Sequence, residues 1–386
     1  MGVSVRPRKV LYVITHLWVG GAEAMLTRLV TAEQKIAGEI TVVALRPGGP
    51  HADRMRAGGV TVEELNFGTP FGVAAGLYRL AKLITRTQPD IVQGWMYHGD
   101  LAALVALALS GRRRMTRLAW AIRGSDIDFS RYSLQLRLVV KACALLSRLP
   151  DLITANSAAG LKIHLGYGYR PRRAEIIPNG IDTRRFRPDS SLRSAVRREL
   201  GIPAEAIVLA HVARVNPMKD HEGFLEAMAG LPDLRALLIG ADTEDLPDRP
   251  NLLRLGRRDD LERLLPAADF VVSSSAFGEG FSNALAEGMA CGLPAISTDV
   301  GDNAIIVGDT GAVVPPRDPQ ALASAIRALA DEAPAAHADR SRRARARIVE
   351  RFSLEKSIAR WSESYAAILS PGARQCPRGD STVSPK

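Results

Sequence analysis

Residues 270–297, FVVSSSAFGEGFSNALAEGMACGLPAIS, read as strand, glycine-containing loop, helix and strand. The run 270–273 is apolar up to its final Ser273 rather than alternating, which fits a strand covered on both faces of a parallel sheet. Residues 283–291 have helical periodicity, and 294–297 restart a strand. The same order continues on either side. In the second half, 207–212 and 234–239 read as strands, and 219–228, 260–265 and 319–330 as helices. In the first half, apolar runs at 10–15, 40–45, 91–93, 117–122 and 152–156 alternate with helical patterns at 22–36, 73–87, 101–109 and 134–149. Repeated strand–helix alternation predicts an α/β chain with doubly wound sheets.

Ile177-Pro178-Asn179-Gly180-Ile181-Asp182 is strong turn punctuation and is read as a linker. The expected division is a first Rossmann-like domain over 1–178 and a second over 182–350. A charged helix over 335–351 and an amphipathic helix over 354–369 follow, then a Pro-, Gly- and Ser-rich tail over 370–386. Ligands of such sheets bind at the carboxyl ends of the strands, so two facing sets of strand ends are expected to enclose one ligand.

The composition agrees. With 386 residues, 46% hydrophobic and 24% charged, the chain is not largely disordered. Its longest uninterrupted apolar run is 101–109, far short of the roughly 20 residues a spanning helix needs. The apolar stretch 10–14 is too short for a signal peptide, and Arg6 stands where myristoylation expects Ser or Thr. Cys143, Cys291 and Cys376 are far apart and contain no CxxC, which points away from disulfides and zinc and toward a reducing cytoplasm. The net charge of +10 is uneven. Residues 1–175 hold 24 Lys and Arg against 12 Asp and Glu, whereas the remainder is slightly acidic. Such asymmetry suggests an anionic partner for the first half: nucleic acid, membrane surface or a phosphorylated substrate.

The chemistry concentrates at 277–294. Gly278 and Gly280 permit close backbone approach to a ligand. Ser282 and Asn283 stand near the N-terminus of the following helix, where free N–H groups favour a phosphate. Glu287 lies a little over one turn further and can accept hydrogen bonds from vicinal hydroxyls, as an acidic residue does for ribose. Glu279 precedes the helix and addresses another part of the same ligand. Two carboxylates and a phosphate site within nine residues suit a nucleotide sugar.

This segment resembles the E-x₇-E signature of the retaining, GT-B-fold glycosyltransferases of the group 1, family 4 type. Other segments match in the family's order. Gly20-Gly21-Ala22-Glu23 resembles the N-terminal glycine loop, and Trp95-Met96-Tyr97-His98 the segment carrying the active-site His. Ile177–Asp182 resembles the interdomain linker, and Val212-Ala213-Arg214 with Lys219 the diphosphate-binding pair. The resemblance implies two Rossmann-like domains, with the helix at 354–369 crossing back to the first. It implies transfer of a sugar, UDP-linked by preference, to an acceptor with retention and without metal or other cofactor. Arg214 and Lys219 would stabilise the leaving diphosphate, and Glu287 would hold the ribose. Glu279, the amides of Gly280 and Phe281, and His98 would hold the sugar, with Gly20 and Gly21 closing on the phosphate.

The residues support this independently. Gly20 and Gly21 follow the first strand and precede a helix but form no G-x-G-x-x-G, so the dinucleotide fingerprint is absent. Arg214 is read as ending a strand and Lys219 as opening the next helix, and two cations there can neutralise a departing diphosphate. Arg123-Gly124-Ser125-Asp126 is placed on the acceptor side. Arg123 stands where the family often has His, and suits an acceptor phosphate or an ion pair with Asp126 or Asp128. Asp126-Ile127-Asp128 is formally a D-x-D, the metal-binding pattern of the other major glycosyltransferase fold, but lies away from the expected diphosphate site and is set aside.

The cations Arg112, Arg113, Arg114, Arg117, Arg131, Arg137, Lys141 and Arg148 cluster in sequence. Residues 132–149 mix such cations with Leu and Val, as a helix resting on anionic lipid does. Many members of the resembling family act on lipid-diphosphate-linked acceptors of cell-surface polysaccharide synthesis. A peripheral place on the inner face of the cytoplasmic membrane is therefore expected. Sugar-nucleotide epimerases share the architecture and are the alternative. A nucleic-acid-binding role has poor support, with 5% aromatic residues and no recognition motif.

Overall fold

The largely apolar runs form the central strands of two parallel sheets. The computed structural model describes residues 8–34, 38–125 and 133–370. Its first sheet comprises β1 (Arg8–Ile14), β2 (Gly38–Ala44), β3 (Thr61–Glu64), β4 (Ile91–Trp95), β5 (Arg117–Ile122), β6 (Leu152–Ala155) and β7 (Ala174–Ile176). The strand order is β3-β2-β1-β4-β5-β6-β7, with every pairing parallel. The second comprises β8 (Val208–Val212), β9 (Arg235–Ile239), β10 (Leu252–Gly256), β11 (Phe270–Ser273), β12 (Ala295–Thr298) and β13 (Ala312–Val314), in the order β10-β9-β8-β11-β12-β13. These pairings are also all parallel. Each strand order reverses once, at β1/β4 in the first sheet and at β8/β11 in the second. Open α/β sheets bind ligands at that reversal, beyond the carboxyl ends of the strands.

The chain divides into two compact units. The first contains the described residues of 8–178 other than 124 and 125, together with 357–370. The second contains 124–125 and 179–356.

In the second unit, strand side chains alternate between two cores. Val271 packs on one face with Leu285, Met289 and Ile348. Phe270 and Val272 pack on the other with Phe224, Met228 and Ile326. This explains why 270–273 shows no polar alternation. The charged helix Pro334–Phe352 buries Ala344, Ile348 and Phe352. Its arginines satisfy carbonyls: Arg345 donates to Phe186 at 3.1 Å and Arg347 to Ile306 at 2.8 Å.

In the first unit, Leu11, Val13, Val92, Trp120 and Ile153 pack against Leu80, Ile84, Ala103 and Leu107 of the covering helices. From Ser357 onward, the helix Leu354–Leu369 completes this unit. Its Trp361 stacks on Trp95 at 5.9 Å. The Tyr365 hydroxyl lies 3.2 Å from both the Tyr12 hydroxyl and Gln93 Oε1. Ser357 donates to the Pro178 carbonyl at 3.0 Å.

Two boundaries next to candidate site residues differ from the sequence reading. The helix expected from 101 begins at Met96, whose positive φ of 66° makes an abrupt turn directly out of β4. The helix expected from 219 begins at His221, capped by Asp220 in the left-handed conformation. Arg214 and Lys219 therefore both lie in the loop after β8. Among the described residues no helix is long and apolar enough to cross a membrane.

Candidate active site

The loops after β8 and β11, the two strands at the reversal of the second sheet, bring the key side chains together. Lys219 Nζ lies 2.6 Å from Glu279 Oε2, and the Ser275 hydroxyl is 3.5 Å from the same oxygen. Both charged side chains are largely withdrawn from solvent, so the pairing is strong and each partner fixes the other. The backbone fixes them too. The Ser274 hydroxyl donates to the Lys219 carbonyl at 2.7 Å, and Ala276 N–H to the Met218 carbonyl at 2.8 Å. Gly278 has a φ of +74°, which turns the chain sharply before Glu279. Asp302 N–H donates to the Gly280 carbonyl at 3.0 Å and ties down the far side of the loop.

The helix Asn283–Ala290 starts directly after this loop. Ser282 is its N-cap, yet no side chain closes the cap, so its first amides retain donor capacity. Asn283 Oδ1 accepts from Asn179 Nδ2 at 2.9 Å. Glu287 is buried on this helix. The Phe281 side chain belongs to the core and packs on Phe352 at 5.5 Å, leaving only its backbone for a ligand. Arg214 is exposed and forms no ion pair among the described residues.

The first unit gathers a second set at its own reversal, β1/β4. Gly20 and Gly21 follow β1, with Gly21 opening the helix Gly21–Gln34. A Cβ on Gly20 would stand 2.1 Å from Glu23 Oε2, so this carboxylate folds tightly over the loop. Glu23 also pairs with His16 Nδ1 at 3.3 Å. His98 sits in the first turn after β4. Burial, then the charges of Arg46 and His16, lower its pKa below the ordinary histidine value. It is therefore neutral at pH 7, suited to hydrogen bonding with hydroxyls.

Arg123 is placed differently from an open phosphate clamp. It is buried, its guanidinium 4.1 Å from the Trp95 ring centroid and 5.0 Å from that of Trp361, and it points toward the Ile177 carbonyl at 3.4 Å. Burial lowers its pKa to about 9, which leaves it charged at neutral pH. Its cation–π contacts join β4 to the last helix of the same unit. Asp126 and Asp128 lie outside the described residues. Among the described residues, no three His, Cys, Asp or Glu side chains converge as a metal site would require.

Residues 19–185 match the family model described as Glycosyltransferase Family 4, and residues 206–332 the one described as Glycosyl transferases group 1. The chain belongs to the group 1, family 4 glycosyltransferases. It is 31% identical over 232 residues to a D-inositol 3-phosphate glycosyltransferase of Mycobacterium sp. (strain KMS), covering 55% of this chain and 51% of that protein. It is 34% identical over 240 residues to the protein of that name from Geodermatophilus obscurus, with the same coverage. The chain thus spans about half the length of the curated relatives it matches. The structure of Anabaena Alr3699/HepE in complex with UDP-glucose aligns with a TM-score of 0.80 over 93% of this chain and 99% of that one, at 22% identity, a likeness of fold.

Several residues around the sites of this glycosyltransferase-family chain carry no motif. Ser275 and Asn179 reach site residues through ordinary polar side chains. Gly240, after β9, has a φ of +154°, and a Cβ there would stand 2.1 Å from the Ala213 carbonyl and 2.7 Å from Arg214 N. A Cβ on Gly301 would stand 2.1 Å from the Glu279 carbonyl. Both glycines make room for the backbone that carries a candidate catalytic side chain. A glycine shortly after a strand was the available signal, but spacing alone does not say which backbone it must clear.

Proposed function

We propose that the chain transfers a sugar from a nucleoside diphosphate, UDP by preference, to an acceptor hydroxyl, with retention and without metal. The carrying observation is the Lys219–Glu279 pair at 2.6 Å beside the open amides of the helix Asn283–Ala290. In this reading Arg214 and Lys219 neutralise charge developing on the departing diphosphate. The amides of Ser282 and Asn283 hold phosphate oxygens, and those of Gly280 and Phe281 hold the sugar. Glu279 fixes the Lys219 ammonium and accepts from sugar hydroxyls, while Glu287 accepts from the ribose. Within the first unit, the neutral His98 imidazole and the loop amides at Gly20 and Gly21 are groups suited to a sugar hydroxyl and a phosphate. The leaving phosphate takes the acceptor proton on the face it departs from, which retains configuration.

The similarity to D-inositol 3-phosphate glycosyltransferases makes a phosphorylated cyclitol the first acceptor class to test. Lipid-linked saccharides are the second, favoured by the basic surface of the first unit, which suits work at the inner face of a membrane.

The test starts with thermal shifts for UDP, GDP and ADP, each with EDTA or magnesium. A ligand at 100 times its Kd stabilises by about 2.7 kcal/mol, a shift of a few degrees. A UDP shift that survives EDTA is expected, and one that requires magnesium would overturn the metal-free site. Turnover of UDP-sugars with inositol phosphate and with lipid-linked saccharide then identifies the acceptor, and the product's anomeric coupling reads retention. Glu279→Gln should lower kcat by about 100-fold or more. Donor conversion with no acceptor present would instead support an epimerase.

A further inference from the structure

Helix Leu134–Leu146 of the first unit is apolar on two opposite sides. One side, with Leu136, Val139, Val140 and Cys143, packs into the core. The other presents Leu134 (71% exposed), Leu138 (59%) and Leu145 (83%). At about 100° per residue these three leucines and Lys141 fall within a roughly 60° arc. The stripe continues past the helix end through Arg148 and Leu149. There Arg113 donates to the Leu149 carbonyl at 2.6 Å, which brings the turn bearing Arg114 and the exposed Met115 alongside. A second apolar stripe on a helix is ordinarily covered as the first is, and no described residue covers this one.

The charge pattern selects the occupant. Lys141, Arg148 and Arg114 form no ion pair among the described residues. Residues 133–149 contain no Asp or Glu, and the next carboxylate, Asp151, is engaged by Arg113 and Arg117. A second copy docked by two-fold symmetry would set these cations against their own equivalents with nothing to neutralise them. An anionic bilayer offers both what the leucines and what the cations need. We infer that Leu134, Leu138, Leu145 and Leu149, with Lys141, Arg148 and Arg114, dock the first unit onto anionic lipid. The inference specifies the membrane contact of the functional reading but is tested without turnover.

The experiment is co-sedimentation of the full chain with phosphatidylglycerol-containing vesicles and with pure phosphatidylcholine vesicles, at low and high salt. Binding should be about tenfold stronger to the anionic vesicles and should weaken with salt. Leu138→Glu with Leu145→Glu, and separately Lys141→Glu with Arg148→Glu, should each reduce it about tenfold. Because these side chains are exposed, Tm and the UDP thermal shift should not change. Absence of binding to anionic vesicles, or both variants binding as the parent does, would overturn the inference. So would a dimer in solution that Leu138→Glu with Leu145→Glu dissociates, since a second copy would then own the face. A lost UDP shift alongside intact vesicle binding would strike the donor reading alone.

Discussion

His164 is a buried neutral imidazole in a region the catalytic reading does not use. Its Nδ1 lies 2.7 Å from the Gly160 carbonyl and its Nε2 2.9 Å from the Tyr97 hydroxyl. Nδ1 therefore donates, and Nε2 accepts from the tyrosine. Burial lowers its pKa to about 4. A histidine depressed in this way adds no penalty above its unfolded pKa near 6.5, and the folded state loses stability as pH falls from there toward 4. The loss from this group amounts to about 3 kcal/mol. Denaturant unfolding followed from pH 7 to 4 should show it, and His164→Gln should flatten that slope while lowering stability at pH 7. A second prediction concerns Gly240. Gly240→Ala forces its Cβ onto the Ala213 carbonyl and should displace the segment carrying Arg214. The expected result is a raised KM for donor, with destabilisation of about 1–3 kcal/mol measurable by chemical denaturation.

Secondary-structure elements show where sequence legibility ended. Central strands such as 117–122 and 270–273 were plain because both faces are buried and, apart from Arg117 and Ser273 at their ends, every position is apolar. The strands that no apolar run announced, β3, β7, β10 and β13, are the edges of the two sheets. In β3, Thr-Val-Glu-Glu, no residue is fully buried, and in β7, Ala-Glu-Ile, all three are half-exposed. An edge strand needs one neighbour and little core, so pairing rather than burial defines it. The site divides similarly. Motif spacing singled out Glu279 and Lys219, which the structure brings within 2.6 Å of each other, whereas the packing of Arg123 against two tryptophans depends on residues 28 and 238 positions away. Element packing also yields a prediction. Helix Met96–Leu109 lies so close to β1 that a Cβ on Gly99 would stand 2.3 Å from the Val13 carbonyl. Gly99→Ala should push out the turn that carries His98, lowering Tm by several degrees and kcat more than donor binding.

At the scale of the whole chain, the last helix returns to the unit in which the first strand lies. Trp361 and Tyr365 are fully buried against residues of β1 and β4. Trp361→Ala should cost about 3–5 kcal/mol of first-unit stability, since a large cavity opens beside Trp95 and Arg123 loses one stacking partner. Amide exchange should report that loss in β1 and β4 while the strands from β8 to β13 keep their protection. This return has a consequence for biosynthesis. A ribosome delivers β1 first, yet the side chains that close over it arrive hundreds of residues later, after everything needed for β8–β13 has emerged. The unit begun first is therefore the one finished last, and its unclosed aromatic surface is what a chaperone would meet on the nascent chain.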